Sequence, residues 1–133
     1  MVCPTSGRPD RADASVLLAH LDDTDPHTEG ARTILAEAEA RAASTLTLGE
    51  VLVGAARAGR LDEQLAALAE LEISEIPLER GAGARLARLR AETGLRMPDC
   101  CVLHAAGVTG ADAVATRDRR LARAAATRGF RTP

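Results

Sequence analysis

Apolar positions along the chain fall into blocks that alternate between a helical repeat and brief buried runs. Residues 13–21 read as a short apolar helix followed by the acidic turn Asp22, Asp23 and Asp25. Pro26, at a first helical position, opens a helix to about Arg41 with Ala31, Ile34, Leu35 and Ala38 inward. Residues 43–46 suit a short strand. Thr47 and Glu50 have capping-box spacing, and Val51, Leu52 and Ala55 carry a helix that stops near Gly59. Leu61, Leu65, Leu68 and Leu71 are spaced for an amphipathic helix, and residues 73–76 form a strand closed by Pro77.

The second half repeats the alternation. Residues 79–93 predict an arginine-rich helix with Leu86 and Leu89 inward and Gly94 at its end. Pro98 and Asp99 open a further helix, buried through Val102, Leu103 and Ala106 and broken by Gly107 and Gly110. Residues 113–116 read as a buried strand. Asp118 starts a last helix carrying Leu121, Ala122 and Ala125, and residues 129–131 suit a final edge strand. Short strands alternating with helices imply α/β architecture, a parallel sheet covered on both faces. The first twelve residues are polar and interrupted by Pro4 and Pro9, so a poorly ordered or degenerate first strand is expected there, with residues 13–133 as one domain.

Composition sharpens this picture in three ways. Phe130 is the only aromatic, so Ala, Leu and Val must fill the core. There is no lysine, which excludes a phosphate-binding P-loop and a receiver-type acidic site, both of which need one. No glycine-rich dinucleotide fingerprint follows any strand. The formal charge of -2 gives no global attraction to nucleic acid, although Arg117, Arg119, Arg120 and Arg123 cluster around Asp118. Three cysteines, two of them adjacent, suggest no disulfide framework, and no apolar run is long enough to span a membrane. A reduced, cytoplasmic protein is the expectation. Cys100 and His104 stand one helical turn apart, but two ligands do not make a metal site, and core packing is the ordinary fate of such a cysteine. His20 and His27 have no nucleophile at a recognisable spacing and are expected on the surface.

Asp13, Glu50, Asp99 and Asp118 each stand near the start of a predicted helix. Singly, each is explained by capping. Jointly they suggest more, because turns leaving the carboxyl ends of parallel strands share one edge, where ligands bind. Four carboxylates at one place raise one another's pKa unless a cation intervenes. Hard oxygen donors without a histidine or thiolate set favour Mg²⁺ or Mn²⁺.

Asp13-x-Ser15 before an apolar helix, Leu46-Thr47-x-x-Glu50-Val51, Pro98-Asp99 before an apolar helix, and Thr116-Arg117-Asp118-x-x-Leu121 together resemble the PIN domain, particularly VapC-type toxins of bacterial toxin–antitoxin pairs. The resemblance covers nearly everything after Ala12. It implies a three-layer α/β/α fold with a short, mostly parallel sheet and a Mg²⁺-dependent endoribonuclease. It also implies a VapB-like antitoxin partner and a homodimer. By that resemblance Asp13 and Asp99 are metal ligands, and Glu50 and Asp118 complete the catalytic pocket. Ser15 and Thr116 supply hydroxyls that orient carboxylates or water, and Arg117, Arg119 and Arg120 hold RNA phosphates. The alternative is a catalytically degenerate module that keeps the fold and retains only antitoxin or RNA binding. One departure motivates it: the family's first strand is an apolar run, whereas residues 8–12 here are Arg-Pro-Asp-Arg-Ala. Proline in a central strand loses a ladder hydrogen bond.

Overall fold

The computed structural model describes residues 10–12, 28–38 and 40–133. Among them, strands β1 (Asp10–Ala12), β2 (Arg41–Ser44), β3 (Ile73–Ile76) and β4 (Val114–Ala115) form one sheet in the order β3-β2-β1-β4. All pairings are parallel. The helices of the same residues are α1 (Thr28–Glu37), α2 (Thr45–Arg57), α3 (Leu61–Glu70), α4 (Ala82–Thr93), α5 (Met97–Thr109) and α6 (Arg119–Thr127).

β1, three residues long among the described residues, occupies the centre of the sheet. Asp10 and Arg11 pair with Arg41 and Ala42 of β2, while Arg11 and Ala12 pair with Val114 and Ala115 of β4. The described residues of the strand, Asp10–Ala12, contain no proline; Pro9 lies outside the described residues.

Two hydrophobic clusters form the core. One joins Leu86 of α4, Cys100 to Leu103 and Ala106 of α5, Val114 of β4, and Leu121 and Ala125 of α6. The other joins Leu35, Ala43, Leu48, Val51, Leu68 and Ala115. Val114 and Ala115 are neighbours in one strand and so project to opposite faces. Each face of the sheet therefore carries a packed core, which is the three-layer arrangement. No helix among the described residues is long and apolar enough to cross a membrane.

Several boundaries differ from the pattern-based expectation. α1 ends at Glu37 instead of about Arg41, because Arg41 is the first ladder residue of β2, opposite Asp10 on one side and Ile73 on the other. Its guanidinium also donates to Leu71 O at 2.5 Å, tying β2 to the turn before β3. β2 stops at Ser44, two residues short of Leu46, because Ser44 is the N-cap of α2. The Thr47–Glu50 capping box is therefore not formed: Thr47 lies inside the helix and its N–H donates to Ser44 Oγ at 3.1 Å.

α4 begins at Ala82, not Glu79, because Gly81 adopts φ +88, a left-handed conformation that a helix interior excludes. α5 runs through Gly107 to Thr109, and Gly110, at φ 63, ends it. One interior glycine costs about 1 kcal/mol, and the seven consecutive buried residues Cys100 to Ala106 outweigh it. Along α3 only Leu68 is buried, while Leu61 and Leu65 remain exposed. β4 is shorter than residues 113–116, and the segment 129–131 contributes a single parallel bridge between Ala113 and Arg131.

Candidate active site

Parallel strands put all their carboxyl ends on one edge of the sheet. α2 starts directly after β2, and Asp118 caps α6 three residues after β4 ends. β1 lies between these two strands, so the departure points of α2 and α6 are separated by two strand spacings, roughly 10 Å. Glu50, six residues into α2, is exposed and makes no hydrogen bond or ion pair among the described residues. Burial, then the neighbouring Cys100 and the charge of Glu50, raises the pKa of the Cys101 thiol on α5.

Asp99 occupies the first turn of that same helix, behind Pro98 and with Arg96 at the N-cap. Its side chain is only 13% exposed, and Arg96 Nε stands 3.9 Å from Oδ2. The helix N-terminus supplies partial positive charge there, which favours the ionised acid. The link leading into α5 is tightly held: Arg90 donates to Leu95 O, Arg120 donates to Gly94 O at 3.2 Å, and Leu95 N–H donates to Thr93 Oγ1 at 3.2 Å.

Asp118 is the N-cap of α6. Its Oδ1 accepts from the N–H groups of Arg120 at 2.8 Å and Leu121 at 3.1 Å. Its own N–H donates to the buried Thr116 Oγ1 at 3.0 Å, so the threonine fixes the turn that presents the acid. Asp118 thus performs the capping role that its position suggests, with one oxygen engaged.

Asp13 and Ser15 lie outside the described residues, as do His20 and His27. Among the described residues no three His, Cys, Asp or Glu side chains converge as a metal cage. α2 and α6 start at the carboxyl edge of the sheet, and α2 touches α5, whose first turn carries Asp99.

The three arginines named with RNA in the sequence do not act alike. Arg117 turns towards α1, where its guanidinium lies so close to Gly30 that a Cβ there would collide with it. Arg119 and Arg120 are exposed on the first turn of α6. Arg123, which the sequence already placed in the cluster around Asp118, and Arg128, which it did not, line a cavity with Arg120. Cys100 and His104 are no metal pair: Cys100 Sγ faces Leu95 O at 3.7 Å, while His104 Nε2 faces Glu79. Burial pushes both the Cys100 and Cys101 thiols up.

No curated protein sequence matches the chain at a significant level. Among solved structures, the chain is similar to a toxin–antitoxin complex from Klebsiella pneumoniae, with 25% identity, a TM-score of 0.67 and coverage of 82% of this chain and 86% of that one. It is also similar to a VapBC complex from Rickettsia felis bound to a DNA fragment of its promoter, at 13% identity and TM-score 0.67, covering 92% and 96% of the two chains. A Mycobacterium tuberculosis VapC toxin that cleaves the sarcin–ricin loop superposes with TM-score 0.70 at 16% identity, covering 90% and 95%. The PIN domain family matches residues 12–127, which include all four acids. With that match spanning most of its length and the three-layer parallel fold in agreement, the chain belongs to the PIN domain family.

Proposed function

We propose that this protein is a metal-dependent endoribonuclease of the VapC toxin type, hydrolysing RNA phosphodiester bonds in the cytoplasm. The observation that carries the reading is the exposed Glu50, free of structural hydrogen bonds among the described residues, on a helix that touches the helix of half-buried Asp99. A carboxylate with no such contact among the described residues is not called on there to hold the fold. In a nuclease it has a role.

The donor set suits Mg²⁺ or Mn²⁺. Carboxylate oxygens are hard ligands, and magnesium takes one or two carboxylates and keeps several waters, so it needs no closed protein cage. Asp13 and Asp99 would hold the ion, with Glu50 and Asp118 completing the acidic pocket. When bound, the metal supplies an acidic water and charge stabilisation for a phosphoryl oxygen. Asp99 stands in the first turn of α5, where the helix N-terminus supplies partial positive charge, and the Gly94–Leu95 link ahead of it is pinned by Arg90 and Arg120. Thr116 orients Asp118 through the backbone, and Ser15 is assigned a matching role beside Asp13. Arg119 and Arg120, at the mouth, attract the phosphate backbone of the substrate.

A VapB-like antitoxin and a second copy of the chain are the proposed partners. Support comes from the similar Klebsiella and Rickettsia structures, which are toxin–antitoxin complexes. The decisive experiment measures cleavage of a single-stranded RNA with Mg²⁺, with Mn²⁺ and with EDTA. Cleavage should require the divalent ion and disappear in Asp13→Asn and Asp99→Asn proteins that keep the parent's circular dichroism. Undiminished cutting by both variants refutes the assignment. The polar sequence of residues 8–12, where the family's first strand is apolar, favours a second reading, a module that binds an antitoxin without cutting. Calorimetry that finds a VapB-like peptide bound, and no Mg²⁺ at millimolar concentration, selects that one.

A further inference from the structure

Behind the acidic edge, the end of α4 and the outer face of α6 enclose a cavity of about 330 Å³. Arg120, Arg123 and Arg128 line it with Glu92, Thr93 and Thr127. Three guanidiniums face one carboxylate, so the cavity is cationic. Two of the three are already engaged: Arg120 with Gly94 O at 3.2 Å and Arg128 with Glu92 Oε2 at 2.7 Å. Arg123 has no hydrogen bond or ion pair from its side chain among the described residues.

The cavity is joined to the acids on both sides. Its α6 wall begins at Arg120, whose N–H donates to Asp118 Oδ1. Its other wall ends in the Gly94–Leu95 link that leads into Asp99, and Arg120 spans the two walls. A chain of phosphates entering between Asp99 and Asp118 would therefore meet these guanidiniums next. Helical rise puts Arg123 about 7.5 Å from Asp118 along the α6 axis. Planar guanidinium forks match phosphate oxygens. They are the donors left for a ligand here, since the Thr93 and Thr127 hydroxyls already donate to Leu89 O and Arg123 O.

We propose that this cavity is a phosphate-binding subsite for an RNA strand, with Arg123 as its principal contact. The inference rests on the nuclease reading for its ligand class and adds to it a place where the strand is held away from the cut.

The test measures binding of a labelled single-stranded oligoribonucleotide in EDTA, so that cleavage plays no part. Loss of one phosphate contact reduces the slope of log affinity against log salt by about 0.7. Arg123→Ala should show that reduction and bind several-fold more weakly at low salt. Arg123→Lys should keep the slope, because it keeps the charge, while regaining only part of the affinity. Arg57→Ala, at the far end of α2, should match the parent in both. An unchanged slope in Arg123→Ala overturns the proposal, as does a parent that binds no RNA. Equal affinity for adenosine monophosphate and the oligonucleotide also overturns it, because the ligand is then a free nucleotide. Mg²⁺-dependent cleavage, assayed separately on the same proteins, judges the nuclease reading: a parent that cuts while Arg123→Ala binds normally keeps the enzyme and loses the subsite.

Discussion

His104 Nε2 lies 3.0 Å from Glu79 Oε1 and 3.1 Å from Oε2, joining a buried ring on α5 to the loop ahead of α4. Facing an ionised carboxylate, Nε2 must carry the proton and donate it. Arg85 on α4 reaches the same carboxylate, with Nη1 3.0 Å from Oε1. Together these contacts clamp the loop across the two helices that form most of one core cluster.

The clamp makes stability depend on acid. A hydrogen bond from its own backbone, then the His104 hydrogen bond, holds the Glu79 carboxyl below its ordinary pKa. The unfolded chain therefore takes up this proton first as pH falls. The contribution of Glu79 is complete above the ordinary carboxylate value of about 4.3 and is lost as pH drops from there through the lower, folded value. Urea midpoints measured from pH 7 to pH 3 should fall more shallowly for Glu79→Gln than for the parent. Parallel curves would mean that the clamp contributes nothing to stability.

Asp118 separates capping from chemistry, because two substitutions treat its oxygens differently. Asp118→Asn keeps a side-chain oxygen for the Arg120 and Leu121 N–H groups, whereas Asp118→Ala removes it. Alanine should cost about 1 kcal/mol in urea denaturation and asparagine little. RNA cleavage should fall in both, since both lose the charge. An asparagine variant with full cleavage would leave Asp118 as a cap only.

Much of this architecture was legible in the sequence because alternation of apolar runs reports burial, and burial decides the layers. The helix start at Asp118, the strand at residues 73–76 and the stop at Gly94 were all visible, since each depends on local chemistry. The errors came where two local signals competed. Ser44 and Thr47 both suit a cap, and only the ladder with β1 and β3, which runs out at Ser44, selects the serine. The His104–Glu79 contact spans 25 residues and has no periodic signature. The same holds for the cationic cavity, whose arginines and threonines come from α4, α6 and the residue that follows α6. The separation of Arg117 from Arg119 and Arg120 is set by the turn at Asp118, a tertiary detail that clustering in sequence conceals.

The paired thiols should be chemically quiet. Cys100 and Cys101 are buried, and desolvation raises the pKa of both. At Cys101 the neighbouring Cys100 and Glu50 add to it, whereas at Cys100 the Thr93 hydrogen bond and Arg90 oppose but do not cancel it. The thiolate is the reactive form, so little of it exists at neutral pH. Mass-spectrometric mapping after brief iodoacetamide treatment should find both residues unmodified in the native protein and alkylated in urea. Rapid native labelling at either would contradict the buried assignment of α5.

Ser44 carries the start of α2 and, through it, the placement of Glu50. Its Oγ accepts the Thr47 N–H at 3.1 Å and lies 3.0 Å from Thr47 Oγ1, all within the buried interior. Replacing it with alanine removes a cap, worth about 1 kcal/mol. It also leaves the Thr47 hydroxyl buried without this partner, and an unsatisfied buried group costs a further 1–3 kcal/mol or so. Ser44→Ala should therefore lower unfolding stability by about 2 kcal/mol or more, the sum of those two effects. Glu50→Gln should be within about 0.5 kcal/mol of the parent, as for other surface changes. Cleavage should show the reverse order, with Glu50→Gln suffering more than a Ser44→Ala protein assayed well below its melting temperature. Urea denaturation and a cleavage assay on the two proteins check both halves. Equal losses in both assays would mean that Glu50 helps to hold the fold, and the main support for its catalytic role would be gone.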